Sequence, residues 1–146
     1  MVRADLVEAK VARAVAWLDQ AGRAYMRPVE ELRLDVAARD LAAFYLFLAI
    51  QEAIDLAAHW VADADWTPPD DVGSTFDVLA DHGAIDRQLG DEMRAVVRVR
   101  NRIAHGYASV DHDRIHAEAP AGIVALRRFF AAVVAAAGVP ESPADA

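Results

Sequence analysis

The nine residues from 99 to 107, Val-Arg-Asn-Arg-Ile-Ala-His-Gly-Tyr, combine side chains that can act on a phosphate. Arg100 can bind a phosphate and stabilise the charge that it gains as it becomes pentavalent. His105 can accept or donate a proton near neutral pH. Together these two residues can cleave RNA without a metal ion, with the ribose 2′-hydroxyl as the nucleophile.

Two residues beside this pair are candidate helpers. The amide of Asn101 both donates and accepts hydrogen bonds, so it can orient the phosphate or His105; it can equally be a polar residue at a helix end. Arg102 can add a phosphate contact, or it can simply face solvent.

Two acidic residues upstream are candidates for positioning Arg100. Glu52 and Asp55 lie three residues apart in an otherwise apolar segment, on neighbouring faces of a helix. Either carboxylate can hold Arg100 by a charge-assisted hydrogen bond, or the pair can form a solvent-facing stripe.

Helical geometry limits how Arg100 and His105 can meet. Residues five apart are separated by about 140° around a helix axis, so the two side chains do not share a face. Either the helix unwinds near Gly106 and lets His105 turn back, or two copies of the chain form a composite cleft.

The composition predicts one soluble, cytoplasmic domain. Its 146 residues include no cysteine, so neither a disulfide nor a thiolate metal site is possible. The net charge of −8 argues against a broad nucleic-acid coat but allows a small positive cleft. The N-terminus lacks a signal-peptide pattern, and the apolar run Leu41–Ile50 is too short to cross a bilayer. His112 and His116 have no evident third ligand, so no metal site and no cofactor are predicted.

Apolar residues recur at three- and four-residue steps, which predicts an all-α bundle of about five helices. The domain is expected to span residues 1–137, followed by a flexible tail over 138–146. The first expected helix includes Leu6 to Leu18 and ends near Gly22 to Met26, and four more cover about 35–62, 74–83, 86–104 and 111–137.

Capping residues mark several of these helix ends. Asp35 and Asp111 are predicted N-caps, and Ser74 followed by Asp77 resembles a capping box. Gly83 is expected to end the short central helix. Pro28 is expected to begin a connection or a short turn.

The second predicted helix is apolar nearly all round, over residues 41–50 in particular. One covered face would leave large side chains in water. The helix can lie at the centre of a bundle, or a second subunit can cover the remainder; we favour the dimer.

The motif and three further segments resemble HepT toxins of the HEPN superfamily. Arg100-Asn101, three residues, then His105-x-Tyr107 is similar to the R-x4-H-x-Y motif of that family. Residues 51–59 (QEAIDLAAH), residues 75–85 (TFDVLADHGAI) and Val110-Asp111 also resemble family segments, in the same order. The resemblance extends over roughly residues 5–135.

This resemblance implies a homodimeric, antiparallel helical bundle that acts as a metal-independent endoribonuclease toxin of a type VII toxin–antitoxin system. It implies Arg100 and His105 as catalytic residues and RNA as the substrate. It also implies an MntA-type nucleotidyltransferase antitoxin, which transfers AMP to the motif tyrosine, here Tyr107.

Two other interpretations remain open from the sequence. The chain can be a non-catalytic HEPN binding module that pairs with a nucleotidyltransferase. It can also be a plain helical dimer in which Tyr107 packs beneath a loop.

Overall fold

The computed structural model describes residues 4–106 and 109–138, and every regular element in these two ranges is an α-helix. This confirms the predicted all-α class. The bounds of the helices are α1 Ala4–Tyr25, α2 Val29–Leu34, α3 Val36–Asp63, α4 Ser74–Asp81, α5 Arg87–Gly106 and α6 His112–Gly138. The predicted tail over 138–146 lies, apart from Gly138, outside the described residues, and so does Tyr107.

Helix α3 lies at the centre of the bundle and packs against each of the other helices. Alanines such as Ala49 and Ala53 are fully buried along it, which lets neighbouring helices approach closely. Asp35 caps its N-terminus by accepting a hydrogen bond from the Ala38 N–H at 3.2 Å, as predicted. Burial does not extend all round, because Leu41 and Phe44 remain 49% and 53% exposed.

The other long helices cover α3 with apolar stripes of helical period. On α1, Val7, Val11, Ala14 and Leu18 are buried, which confirms the amphipathic first helix. Helix α6 contributes Phe129 to the core, where its ring packs edge-on against Phe76 of α4 at 5.2 Å between ring centroids.

A sixth helix occupies the segment that was predicted as a connection or short turn. Helix α2 begins after Pro28, whose φ of −54° and ψ of 144° direct the chain into the helix. Leu32 is buried and anchors this short helix to the core. Six residues are too few to show a hydrophobic period, which is why the sequence pattern does not reveal α2.

The capping box predicted at Ser74 is not formed. Asp71, three residues upstream, accepts hydrogen bonds from the Ser74 N–H at 2.9 Å and from its hydroxyl at 2.8 Å. Asp77 instead pairs with Arg94 of α5. The predicted end of the helix is confirmed, because Gly83 has a φ of +74°, which a glycine adopts without strain.

Aspartate side chains cap the N-termini of the last two long helices, α5 and α6. Asp86 accepts a hydrogen bond from the Leu89 N–H at 2.7 Å before α5, and Asp111 accepts one from the Arg114 N–H at 3.1 Å before α6, as predicted for Asp111. Helix α6 continues through Pro120, although proline has no N–H to donate.

Helices α3 and α6 are long and apolar enough to cross a membrane by length and composition alone. The expectation that the apolar run is too short to cross a bilayer considered only residues 41–50. Alanines extend the apolar stretch along α3 beyond that run. Both helices supply much of the core, which accounts for their apolar composition.

Candidate active site

The last two turns of α5 carry the motif residues. The helix is continuous to Gly106, so it does not unwind before His105, and the first of the two expected arrangements is absent. Within one chain, Arg100 and His105 are therefore about 140° apart around the axis and about 7.5 Å apart along it. They cannot act on one phosphate from the same face of the helix.

Arg100 is half-buried and keeps an unused donor. Its Nε is buried and has no hydrogen-bond partner, and Arg100 takes part in none of the ion pairs between described residues. A buried donor without a partner costs about 1–3 kcal/mol, and an anionic ligand would remove that cost. The Arg100 guanidinium is thus suited to receive a phosphate.

His105 is exposed in the final turn of α5. The adjoining Gly106 permits a close approach of the chain, because a Cβ at this position would lie 2.7 Å from Val110 Cγ2. Residues after the loop thereby pack against the helix end while the imidazole of His105 stays accessible. Asn101 is also exposed, on the turn before His105.

Arg102 contacts α6 rather than bulk solvent. Its guanidinium pairs with Glu118. Burial lowers the pKa of Arg102, and the neighbouring charges of Arg114 and Arg98 lower it further. Arg102 therefore belongs to a group of arginines between α5 and α6, which the spacing along α5 alone does not reveal.

Glu52 and Asp55 do not hold Arg100 in the described structure. Glu52 is buried and faces α1, where it lies 3.3 Å from Lys10 Nζ and 3.3 Å from Arg13 Nη2. Asp55 is exposed on α3. Two cations from α1 thus take the Glu52 carboxylate within one chain, and its burial also does not fit the alternative of a solvent-facing stripe.

The two histidines at the start of α6 contact protein groups. His112 Nε2 lies 3.4 Å from Asp40, and His116 Nε2 donates to the Arg27 carbonyl oxygen at 2.8 Å. Among the described residues, no cluster of three or more His, Asp and Glu side chains can hold a metal ion.

An open pocket of about 580 Å³ lies between α3, the end of α5 and the start of α6. Its apolar lining includes Phe44, Phe47, Ile103 and Val110. Ile103 lies two residues before His105, so this pocket adjoins the motif. Exposed aromatic surface beside charged motif residues is typical of an interface.

Comparison with known proteins identifies the family. The family model described as HepT-like, Ribonuclease HepT-like, matches residues 18–133. None of the curated proteins compared with the chain is significantly similar in sequence.

Solved structures of toxin–antitoxin complexes share the fold. One is the tri-AMPylated Shewanella oneidensis HEPN toxin in complex with its MNT antitoxin, with a TM-score of 0.79 and 20% identity over 90% of this chain and 98% of that chain. Another is a mutant of the toxin–antitoxin pair MntA–HpeT, with a TM-score of 0.78 and 19% identity over 88% and 98% of the two chains. A third is a toxin–antitoxin structure with AMP-PNP, at a TM-score of 0.76 and 18% identity over 88% and 98%. The HEPN toxin fold and the match over residues 18–133 agree, and the chain belongs to the Ribonuclease HepT-like family.

Proposed function

We propose that this protein is a cytoplasmic, metal-independent endoribonuclease toxin of a type VII HepT/MntA system. The family match over residues 18–133, which includes Arg100 and His105, carries the proposal. The geometry supports it, because Arg100 keeps a buried donor without a partner and His105 is exposed at a helix end.

The reaction uses the ribose 2′-hydroxyl as nucleophile. His105 removes the proton from this hydroxyl, or protonates the leaving 5′-oxygen. The 2′-oxygen bonds to phosphorus as the bond to the 5′-oxygen breaks, which gives a 2′,3′-cyclic phosphate and a free 5′-hydroxyl. Arg100 binds the scissile phosphate and stabilises its added charge. Asn101 helps to orient the phosphate or His105.

A homodimer brings the catalytic residues together. Arg100 and His105 of one chain lie about 140° apart around the axis of α5, which prevents them from facing one phosphate. Phe44 offers exposed apolar surface beside the motif and Leu41 offers more on the same helix, and a second copy would remove this surface from water. With one His105 per chain, the second proton transfer falls to the partner's His105.

An MntA-type nucleotidyltransferase antitoxin controls the site by transferring AMP from ATP to Tyr107. One structural neighbour is a tri-AMPylated HEPN toxin bound to its antitoxin, which supports this assignment. Tyr107 follows His105 by two residues. Each AMP adds bulk and negative charge, which would repel the RNA phosphate from Arg100.

A cleavage assay with paired substrates tests the ribonuclease proposal. The purified protein in EDTA is expected to cut an RNA and to leave the same sequence with 2′-deoxyribose intact, because only RNA supplies the nucleophile. Mass spectrometry of the products should show a 2′,3′-cyclic phosphate. Equal cleavage of the 2′-deoxy substrate, or loss of cleavage in EDTA, would contradict the mechanism. No cleavage of any RNA would favour the non-catalytic binding module.

The Tyr107→Phe variant tests the control of the site. This variant retains the ring but loses the phenol oxygen that accepts AMP, so it should cleave RNA as the wild type does. Incubation with the nucleotidyltransferase and ATP is expected to silence the wild type and leave the variant active. Intact mass spectrometry checks the modification through the added AMP. Tyr45→Phe, which alters a tyrosine on α3, is the matched control and should still be modified at Tyr107. AMP on the Tyr107→Phe variant would place the acceptor elsewhere.

A further inference from the structure

A groove of about 760 Å³ lies between α5 and α6, on the side of the bundle that carries Arg102. Its floor is formed by small and apolar residues, and Val124 at its edge is 59% exposed. Its charged lining consists of Arg98, Arg102, Arg114, Arg128, Glu92 and Glu118.

This groove is positive although the chain carries a net charge of −8. Arg102 and Arg114 both pair with Glu118, so one carboxylate is shared by two guanidinium groups. Burial lowers the pKa of Arg102, and the nearby charges of Arg114 and Arg98 lower it further. The groove therefore has an excess of cations that an anionic ligand would neutralise.

Arg98 differs from the other arginines of this group in its pairing. Its side chain is exposed, and among the ion pairs between described residues none involves Arg98. Arg128, by contrast, lies 3.1 Å from Glu92 and 3.3 Å from Asp86. A phosphate at Arg98 would thus displace no carboxylate.

Arg98, at one edge of the groove, shares a face of α5 with His105. Arg98 precedes His105 by seven residues, so the two lie within about 20° around the axis and about 10.5 Å apart along it. Arg102 lies between them along the axis, and around it Arg102 is about 40° from Arg98 and 60° from His105. Arg100 lies on a different face, toward the scissile phosphate of the proposed composite site.

We propose that the α5–α6 groove is a subsite for single-stranded RNA, in which Arg98 binds a phosphate next to the one that is cut. This inference rests on the proposed ribonuclease function, because it uses His105 to mark the scissile position. The backbone follows the arginines from His105 toward Arg98. The apolar floor and Val124 provide a surface for riboses and bases. Glu118 pairs with Arg102 and Arg114 and holds both at the lining of the groove.

Binding of RNA to matched variants tests the subsite. Arg98→Gln is compared with Arg23→Gln; Arg23 is an exposed arginine on α1 and, like Arg98, is in no ion pair between described residues. Both variants are made in a His105→Ala background, so that the probe is not cut. The probe is an unstructured RNA of roughly twelve nucleotides, and its Kd is measured as a function of salt concentration.

Loss of one single-strand phosphate contact lowers the slope of log Kd against log salt by about 0.7, which is about fivefold weaker binding at 0.1 M salt. We expect this change for Arg98→Gln and none for Arg23→Gln. Equal Kd values and equal slopes for the two variants would overturn the subsite. Loss of antitoxin binding by Arg98→Gln with unchanged RNA binding would also overturn it, and would assign the groove to an acidic protein segment.

Cleavage separates a failure of the subsite from a failure of the proposed function. In the His105 wild-type background, Arg98→Gln should lower kcat/KM for the long RNA several-fold more than for a dinucleotide, which is too short to reach the groove. If the wild type cleaves RNA and both substrates respond alike, the subsite fails and the ribonuclease stands. If the wild type cleaves nothing but binds the long RNA through Arg98, the ribonuclease fails and the RNA groove stands. If it neither cleaves nor binds RNA, both are overturned.

Discussion

Replacing His105 with alanine is expected to abolish RNA cleavage and the growth inhibition that cleavage causes. A positioned acid or base accelerates proton transfer by about 10²–10⁴-fold, so we expect the cleavage rate to fall by about 10³-fold. The fold should persist, because His105 is exposed in the last turn of α5 and supports no core contact. Initial rates with a labelled RNA measure the loss, and expression in cells measures the toxicity.

Arg100 provides the companion measurement. Arg100→Ala removes the donor that would stabilise the developing charge, a loss of about 10²–10³-fold for groups of this type. Arg100→Lys retains the charge but not the planar fork of donors, so its rate should lie between those of alanine and arginine. Both substitutions also remove the Arg100 Nε, which is a buried donor without a hydrogen-bond partner.

A second exposed histidine is the matched control. His59 lies on α3 and is exposed, so His59→Ala should cleave RNA at the wild-type rate. Far-UV circular dichroism and thermal unfolding establish that each variant is folded. Wild-type cleavage by a folded His105→Ala variant would exclude His105 from the chemistry.

The long helices could be predicted from the sequence because their cause is local. The spacing of Val7, Val11 and Leu18 defines a buried stripe within a single segment. Asp35 and Asp111 cap helices through N–H groups only three residues away. Interactions between residues so close in the chain can be predicted from the sequence alone.

The predicted capping box at Ser74 did not form, and the cause is a contact between two helices. Ser74 has both a possible capping partner downstream in Asp77 and a competing one upstream in Asp71. The choice was decided by Arg94 of another helix, which takes the Asp77 carboxylate. A local pattern cannot report a partner that arrives only when α4 and α5 pack together.

The candidate site also depends on contacts between helices, which a local sequence pattern does not show. The positions of Arg100 and His105 near the end of a helix followed from helical periodicity and Gly106. The partners of Glu52 did not, because Lys10 and Arg100 are both cations that can reach a buried carboxylate, and only the packing of α1 on α3 selects Lys10. The arginine-lined groove likewise exists only when α6 lies against α5.

Mixing two inactive variants, Arg100→Ala and His105→Ala, is expected to restore RNA cleavage. If each site combines Arg100 of one chain with His105 of the other, a mixed dimer contains one intact pair. Random exchange makes half of the dimers mixed, so recovery is limited to about a quarter of the wild-type rate in a two-fold symmetric assembly. Recovery is expected to lie below that limit, because the mixed dimer has only one His105 and the proposed mechanism assigns the second proton transfer to the other.

The surface beside the motif supplies the control for this experiment. Phe44 is 53% exposed and lines the pocket next to Ile103, so Phe44→Asp would place a charge in the proposed interface. Adding Phe44→Asp to both inactive variants should yield monomers by light scattering and prevent recovery. Exchange of subunits is verified by co-purification of two different tags. If tagged subunits exchange and the mixture stays as inactive as either variant alone, the Arg100–His105 pair does not form across the dimer. The two residues, about 140° apart around the axis of α5, would then have to act within one chain.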